Sequence, residues 1–296
     1  MHEKAKTSLL EKLRLSGWRW VGVTAAVAAL AWLGLRGLPD GRLHVYFLDV
    51  GQGDAILIRA PDGRQILVDG GPSPTALLNE LGDLLPFWDR DLDLVVLTHP
   101  DGDHVIGLIP LLDRYRVAQA LDVPQSDTAA AAAAWRERLT AAKTPRAYAQ
   151  RGMRLPVGDL HITVLNPAAT PLRGTASDEN NNAIVLRLDY GQTSLLLTGD
   201  AETEAEAALL AAGLPLRADV LKVGHHGSNG STSAPFVAAV APHVAVIQVG
   251  AGNTFGHPNP EVLKRLAGAQ VYRTDQQGRI EVVSDGRRVW VKTGRK

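Results

Sequence analysis

The stretch that decides the fold is "LTHPDGDHVIG", Leu97–Gly107, which overlaps the apolar run "DLVVLTH" of residues 93–99. A continuous apolar run of this length is typical of a strand buried on both faces of a sheet. Residues 103–115 then predict a helix. The polar part of the stretch therefore connects a buried strand to a helix. In α/β folds, ligands usually bind at this position, past the carboxyl end of a strand.

Four potential metal ligands lie within this connection: His99, Asp101, Asp103 and His104. The spacing H-x-D-x-D-H allows alternate residues of a loop to turn towards one point. Imidazole nitrogen and carboxylate oxygen are both common ligands of divalent ions. A single His or Asp here would be a capping or surface residue, but the four together predict a metal site.

Further candidates lie at the ends of other predicted strands. Asp200 ends "SLLLTGD", His225 and His226 end "DVLKVGHHG", and His257 lies in "FGHPNPE" just before a helix. Each has a plain alternative, since Asp200 can cap the next helix and a lone histidine can be a satisfied core residue. Their joint occurrence at strand ends is what indicates a shared site.

The composition limits the possible chemistry. The chain has 296 residues, 45% of them hydrophobic, with 31 Lys and Arg against 31 Asp and Glu. This balance argues against nucleic-acid binding by bulk electrostatics alone, although a local basic patch remains compatible with it. The chain has no Cys, which excludes thiolate metal ligands, a Cys nucleophile and disulfides.

The pattern of short apolar runs predicts an α/β fold. Runs separated by Gly, Pro and Asp predict strands at 44–50, 55–60, 65–71, 93–99, 118–123 and 161–167, and a hairpin at 182–200 around Tyr190, Gly191 and Gln192. Helices are predicted at 75–85, 103–115, 201–213, 233–242 and 260–268, and another is predicted to start at Ser126 or Asp127 and reach Lys143. This order suits two sheets with helices on their outer faces.

The N-terminal segment differs from the rest. Residues 20–35, "WVGVTAAVAALAWLGL", carry no charge but fall short of the roughly 20 residues that cross a bilayer. Flanking Trp and Arg side chains can extend the segment to the interface. We therefore expect a basic N-terminus at 1–17 and a single-pass transmembrane anchor at 18–38. A cleaved signal peptide and an Ala-rich helix packed on a soluble domain are the alternatives.

The basic residues before this segment predict its orientation. By the positive-inside rule, the N-terminus is cytoplasmic and the remaining chain lies on the outer side of the bacterial inner membrane. No small-x-small cleavage site precedes "GLPDGRLH" (37–44), which favours an uncleaved anchor.

The motifs at the strand ends resemble those of the metallo-β-lactamase superfamily. Its opening motif is H-x-H-x-D-H, and "HPDGDH" (99–104) matches it with Asp101 in place of the second His. The segments "LVDGG" (67–71), "TGD" (198–200) and "VGHHGS" (223–228) follow in the superfamily's order. The resemblance implies an αββα sandwich with a dinuclear metal site at its edge.

Within this superfamily the chain is similar to the C-terminal domain of the ComEC family of competence DNA-uptake proteins. The similarity rests on "HVYFLDVGQGDAILI" (44–58), "VLKVGHHGSNGSTS" (220–233) and "GNTFGHPNPEVLKRL" (252–266). It extends over residues 43–292, which we assign to one metallo-β-lactamase-like domain.

The resemblance also implies roles for individual residues. His99 and Asp101 would bind one metal ion, Asp103 and His104 the other, and Asp200 would bridge them. His225 is preferred over His226 as the further ligand of the second ion. Catalytic roles would fall to four residues, in orienting the attacking water or in proton donation: Asp103, Asp200, His226 and His257. The superfamily's additional His has no counterpart; Asn180, Asn181 and Asn182 stand in that region.

The Asp in place of His bears on metal and substrate. Carboxylate-rich sites favour Mn²⁺ or Mg²⁺ relative to Zn²⁺, and two such ions can clamp a phosphodiester for in-line attack. We therefore expect a Mn²⁺-dependent phosphodiesterase or nuclease, with single-stranded DNA as its partner by resemblance. A separate channel protein of DNA uptake is a possible further partner. A non-catalytic accessory domain, or a hydrolase of another ester, lactone or β-lactam, are the alternatives.

One segment suits nucleic-acid binding. Aromatic residues lie among basic ones between Trp135 and Arg154, a combination that suits single-strand binding. The cations are Arg136, Arg138, Lys143, Arg146, Arg151 and Arg154, with Tyr148 among them. An ordinary solvated helix and loop explains the same pattern. The loop "GSNGSTS" (227–233) offers backbone N–H groups for a phosphate, or is simply a turn.

Overall fold

Two mixed β-sheets form the body of the protein. The computed structural model describes residues 20–21, 23–25, 39–124 and 129–294. Residues 20–21 and 23–25 are helical. The predicted basic N-terminus at 1–17 and most of the predicted anchor at 18–38 lie outside the described residues. No helix in the described part of the chain is both long enough and apolar enough to cross a bilayer.

The first sheet ends in a block of parallel strands. Its strands are, in spatial order, β17 (Val289–Thr293), β16 (Ile280–Ser284), β1 (Leu43–Phe47), β2 (Ile56–Arg59), β3 (Gln65–Val68), β5 (Leu94–Val96), β7 (Ala120–Asp122) and β8 (Arg146–Tyr148). The strands β3, β5, β7 and β8 run parallel to one another. Two short strands pair separately, β4 (Asp91–Leu92) and β6 (Arg116–Val117).

The second sheet also contains a parallel block. Its strands are, in spatial order, β15 (Gln270–Arg273), β14 (Val244–Ile247), β13 (Val220–Lys222), β12 (Thr193–Leu197), β11 (Val185–Tyr190), β10 (Leu160–Asn166) and β9 (Arg154–Val157). The strands β12 to β15 are parallel. In both sheets the parallel strands lead into the loops that carry the predicted metal ligands.

Helices cover the outer faces of both sheets. From β1 onward the helices are α1 (Pro74–Leu84), α2 (Gly102–Val105), α3 (Ala130–Ala141), α4 (Asp178–Asn181), α5 (Thr203–Ala211), α6 (Ala234–Val240), α7 (Pro260–Arg265) and α8 (Thr274–Gln277). Of these, α1, α3 and α5 to α7 pack on the sheets. One apolar layer, with Val45 and Leu186, lies between the sheets. A second, with Leu81 and Trp135, packs α1 and α3 on the first sheet. A third packs α5 to α7 on the second sheet. The predicted αββα sandwich is therefore confirmed.

The helix predicted over 103–115 is wrong in its extent. The structure has the single turn α2, followed by 3₁₀ turns at Ile106–Leu108 and Leu111–Asp113. Pro110 lacks the N–H that a continuing helix needs. Gly107 also approaches the chain closely, since a Cβ there would lie 1.9 Å from the carbonyl oxygen of Gly70. This packing holds the metal-site loop against the turn that follows β3.

Most other predicted elements are found within a few residues of their expected bounds. The hairpin turns at Tyr190 and Thr193 as expected, and Gly213, with φ 62°, follows α5. Strands β4, β6, β8 and β9 and helices α4 and α8 were not predicted, because these short segments lack a clear apolar period. The predicted cap at Ser126 or Asp127 lies outside the described residues, and α3 ends at Ala141, before the predicted Lys143.

Candidate metal centre

The predicted ligands come from the carboxyl ends of three parallel strands. His99 and Asp101 follow β5, with Asp103 and His104 in α2 directly behind them. Asp200 follows β12, and the histidine pair at 225 and 226 follows β13. Since these strands belong to two facing sheets, the site lies where the edges of both sheets meet.

Four imidazoles converge on one carboxylate oxygen, Asp200 Oδ2. The Nε2 atom of His104 lies 3.3 Å from it, and that of His226 lies 3.4 Å from it. The Nε2 atoms of His225 and His99 lie 3.9 and 4.0 Å away. Four nitrogens of one kind thus surround the carboxylate that the sequence predicts to bridge two ions.

The other ring nitrogen of each histidine is held by a separate partner. Nδ1 of His104 lies 2.9 Å from Asp69 Oδ2, and Nδ1 of His99 lies 2.9 Å from Thr98 Oγ1. Nδ1 of His225 lies 3.0 Å from Glu202 Oε1, and Nδ1 of His226 lies 2.9 Å from the carbonyl oxygen of Gln248. Metal-binding histidines almost always use their second nitrogen in this way, which fixes the tautomer and leaves Nε2 free to bind.

Buried atoms without a hydrogen-bond partner mark the centre. Nε2 of His99, Nε2 of His104 and Oδ1 of Asp200 are buried and accept or donate no hydrogen bond. Leaving such an atom unpaired costs about 1–3 kcal/mol, and a bound cation removes this cost. The donor set therefore fits divalent metal ions.

His226 belongs to the candidate cluster of ligands for the second ion. Asp103, His104, Asp200 and His226 each place one ligand atom within 4.8 Å of all the others, and His226 Nε2 lies 3.2 Å from Asp103 Oδ2. The sequence analysis prefers His225 for this position, whereas the geometry favours His226. Both residues have positive φ values, 45° for His225 and 52° for His226. Such strain, about 1–3 kcal/mol per residue, is typical of functional sites.

The first ion site is more open. His99 Nε2 lies 3.6 Å from Asp101 Oδ2, and the Asp101 side chain is 43% exposed. Interaction with His99 lowers the pKa of Asp101 despite its partial burial. His99, Asp101 and Asp200 are thus available for one ion, with His225 facing Asp200 from another side.

Three asparagines stand where the superfamily has another His. Their side chains mostly form hydrogen bonds with the backbone. Asn181 Oδ1 accepts from the N–H of Ala205, and Asn182 Oδ1 accepts from the N–H of Leu172. Asn180 donates to Glu202 Oε1, at 3.3 Å, and its own Oδ1 has no hydrogen-bond partner. Of the three, Asn180 is therefore connected to the metal centre through Glu202.

A buried ion pair lies behind the bridging carboxylate. Lys222 pairs with Asp54, donates to the carbonyl oxygen of Gly199 at 2.8 Å, and lies 3.5 Å from Asp200 Oδ1. Burial alone would lower the pKa of Lys222, but Asp54 and Asp200 raise it. Asp54, Asp69 and His104 also lie close together. Because Lys222 and His104 already neutralise these two carboxylates, we interpret them as support for the centre.

Protonated histidines balance the carboxylates in the metal-free protein. Burial would lower the pKa of His226, but Asp200, Asp103 and Asp54 raise it to about 10. Asp200 and Asp69 likewise raise the pKa of His104 despite its burial. In turn, His226 and His104 hold the pKa of Asp103 at about 2, against the effect of its burial. The carboxylates therefore stay ionised and ready to bind cations.

His257 lies beside the ligands. Its ring centroid is 5.8 Å from that of His225, and its Nδ1 is buried without a hydrogen-bond partner. Burial lowers the pKa of His257, and the nearby His225 and His226 lower it further. A neutral imidazole at the rim suits proton transfer near pH 7.

Four supporting residues escaped the sequence analysis: Asp54, Asp69, Glu202 and Lys222. Asp69 lies in the quoted "LVDGG" and binds the N–H and hydroxyl of Thr98 as well as His104. The signal that could have found it is an acidic residue directly after a buried apolar strand. Lys222, in an apolar strand, carried a similar signal, since a cation there needs a buried partner.

The basic segment near α3 is mostly paired. Arg136 is buried and binds Asp122, with Nε 2.7 Å from Oδ2, and Arg138 pairs with Asp113. Arg146 stacks over Tyr148 at 5.2 Å. The expected solvated helix is therefore wrong for Arg136, which is buried, and fits Arg138, whose side chain is 40% exposed. Tyr148 is exposed, and Arg146 beside it lies 3.8 Å from Asp122 Oδ2.

The loop at 227–233 uses its N–H groups internally. Glu206 accepts from the backbone N–H of Thr232 and from that of Ser233, at 2.8 Å in the second case. Arg265 donates to Asn229 Oδ1 at 2.8 Å. The loop is thus a fixed turn beside the centre, and these two N–H groups are not free to hold phosphate.

Comparison with known proteins agrees with this geometry. The model of the metallo-beta-lactamase superfamily matches residues 48–250. The chain belongs to this superfamily. Its members are generally metal-dependent hydrolases, and their fold binds divalent metals, often two.

Curated relatives confirm the predicted resemblance to the ComEC family. The chain is 34% identical over 264 residues to "ComE operon protein 3" of Bacillus subtilis, an alignment that covers 80% of this chain and 32% of that protein. It is 34% identical to "Recombination protein 2" of Haemophilus influenzae, with 74% and 26% covered, and 31% identical to "Competence protein ComA" of Neisseria gonorrhoeae, with 82% and 33% covered. The chain thus spans about a quarter to a third of the length of these relatives.

Solved structures support the fold. The metallo-beta-lactamase fold protein YhfI of Bacillus subtilis aligns with a TM-score of 0.55 at 15% identity, over 84% of this chain and 100% of that one. CmlA, a diiron beta-hydroxylase of Streptomyces venezuelae, aligns with a TM-score of 0.53 at 17% identity, over 84% of this chain and 54% of that one. At these identities the likeness concerns the fold alone.

Proposed function

We propose that this protein is a metal-dependent phosphodiesterase that cleaves DNA at a dinuclear centre. The observation that carries the proposal is the convergence of four anchored imidazoles on Asp200. Asp101, Asp103 and Asp200 supply three carboxylates, one more than with a His at position 101, and the added carboxylate favours Mn²⁺ or Mg²⁺ relative to Zn²⁺. The competence and recombination names of its relatives favour DNA as the substrate.

The roles of the residues follow from their positions. His99, Asp101 and His225 would hold one Mn²⁺, and Asp103, His104 and His226 the other, with Asp200 between them. When bound, two such ions activate a water molecule and neutralise phosphate oxygens. Asp103, 36% exposed, faces the solvent side of the centre and would orient the attacking water. His257, whose pKa is lowered by burial and by His225 and His226, would take up the proton released by the attacking water and deliver it to the leaving oxygen.

Location and partners are part of the same proposal. The anchor at 18–38 would tether the domain to the outer side of the inner membrane, where it meets single-stranded DNA beside a channel protein of DNA uptake. This rests on the sequence of that segment and on the relatives' names. Protease added from outside to spheroplasts should cleave the domain; protection there, with cleavage only after lysis, would contradict this topology.

Cleavage assays test the activity. The full chain is incubated with linear single- and double-stranded DNA and Mn²⁺, Mg²⁺ or Zn²⁺. We expect cleavage with Mn²⁺ that His99→Ala and Asp103→Asn abolish. Asp91→Asn, which removes an exposed partner of Arg116, is the matched control and should retain activity. Cleavage that survives in both centre variants, or its absence with every metal, would refute the proposal; the second outcome favours an accessory domain.

A further inference from the structure

An exposed aromatic ring stands at the rim of the metal centre. Phe255, between β14 and α7, is 69% exposed. Its ring stacks on that of His257, with centroids 5.9 Å apart and an angle of 26° between the planes. Leaving a phenyl ring in water forgoes the stabilisation that its burial provides, so the position of Phe255 is not explained by the fold.

The loop around Phe255 is rigid. The side chain of Asn253 donates to the carbonyl oxygens of Gly250 and His257, at 3.0 and 2.8 Å. The same side chain accepts from the N–H groups of Phe255 and His257, at 3.2 and 3.1 Å. Gly250 is itself tied to Gln52 Oε1 at 3.0 Å. The ring of Phe255 therefore projects from a preorganised turn, so that a ligand stacking on it loses little binding free energy to ordering of the loop.

This loop is packed onto the turn that carries the paired histidines. The N–H of Asn259 donates to the carbonyl oxygen of Gly227 at 2.8 Å. A Cβ at Gly227 would lie 2.6 Å from the Cβ of Pro258. The rings of Phe255, His257 and His225 thus form a series that leads from the surface to the ligands of the metal ions, with neighbouring centroids less than 6 Å apart.

Resting on the proposed function, we propose that Phe255 is a stacking platform for a nucleobase next to the scissile phosphate. Base–aromatic stacking contributes about 1–3 kcal/mol per base and tolerates any sequence. A base inside a duplex is already stacked on its neighbours, so its face is not available to Phe255. The platform therefore selects single-stranded DNA.

Another exposed aromatic pair provides the matched control. Phe87 and Trp88, on the loop after α1, pack edge to face against each other at 4.7 Å, and Phe87 is 72% exposed. No hydrogen bond or ring contact of the described residues connects this pair to the metal ligands. Phe87→Ala therefore removes a phenyl ring of similar exposure without touching the centre.

Binding of labelled oligo-dT to the metal-free full chain, measured by fluorescence anisotropy at fixed salt, tests the platform without requiring cleavage. Phe255→Ala should weaken binding by about 5- to 150-fold, the equivalent of 1–3 kcal/mol. Phe255→Trp should bind as tightly as the wild type, Phe255→Leu should behave like the Ala variant, and Phe87→Ala should bind normally. Equal binding by the wild type and Phe255→Ala, or rescue by Leu as complete as by Trp, would overturn the inference.

A second series locates the stacked base. One abasic nucleotide is moved along the oligonucleotide, and the position that weakens wild-type binding is identified. That position should have no effect in Phe255→Ala, because the two changes remove the same contact. Additive effects at every position would contradict the platform. If the coupling between the abasic position and Phe255→Ala is found while no cleavage of DNA is observed, that result would refute the proposed catalysis but support Phe255 as a binding site for a base.

Discussion

The buried ion pair of Lys222 and Asp54 allows a quantitative prediction. Replacing Lys222 by Met removes the closest cation of the buried Asp54 and leaves it only the more distant His226 Nδ1, at 3.4 Å, while Asp200 Oδ1 loses a charge 3.5 Å away. Breaking a buried pair in this way costs about 3–5 kcal/mol. For a domain of this size, each kcal/mol lowers the Tm by about 2–4 °C. The metal-free variant should therefore melt about 6–20 °C below the wild type.

Two comparison variants separate charge from packing. Asp54→Asn combined with Lys222→Met removes both charges, so the double variant should be more stable than Lys222→Met alone. Lys264→Met removes a Lys from an exposed pair with Glu261, and its Tm should not change measurably.

The assay is thermal unfolding followed by circular dichroism in EDTA and again with Mn²⁺. Since Mn²⁺ would neutralise Asp200 directly, it should recover part of the loss in Lys222→Met. The reasoning would be refuted if the Tm of Lys222→Met lay less than about 3 °C below that of the wild type, or if the double variant were less stable than Lys222→Met. Either result would mean that Asp54 does not depend on Lys222 for its charge compensation.

Three further outcomes follow from the centre. Because the pKa values of His104 and His226 are raised, Mn²⁺ binding at pH 7 should release up to about two protons. The release should make the calorimetric heat of binding depend on the ionisation enthalpy of the buffer. A heat that is the same in every buffer would contradict protonated imidazoles. The raised pKa values of these histidines also add to the free energy of unfolding of the metal-free protein. This stabilisation is fully present below the unfolded pKa of 6.5 and is lost as the pH rises through the folded pKa, about 10 for His226. The Tm in EDTA should therefore fall between pH 7 and 10, and less so in His226→Ala. Glu202→Gln should weaken Mn²⁺ affinity about 10- to 100-fold in chelator competition; unchanged affinity would exclude a supporting role through His225.

The local patterns of the chain predicted the architecture well. Two sheets with helices on their outer faces follow from apolar runs of strand length, because burial on one or both faces leaves a period in the sequence. The resemblance of the motifs adds the specific αββα arrangement. The helix expected over 103–115 failed for a non-local reason, since Gly107 has to fit against Gly70 in the turn that follows β3. The segment around Arg136 reads as a solvated surface, yet its guanidinium is buried against Asp122, which lies on β7.

The metal centre also has features that the sequence predicts and features that only the tertiary structure decides. The identity of the candidate ligands, and their place after buried strands, can be read from the order of residues alone, because side-chain chemistry and strand ends are local properties. The choice between His225 and His226 could not be made from the sequence, because it depends on which ring the left-handed turn points at Asp103 and Asp200. Likewise, Lys222 becomes the partner of Asp54 because two sheets bring β13 and the loop before β2 together. These assignments depend on distances between segments far apart in the chain, which are set when the sheets pack.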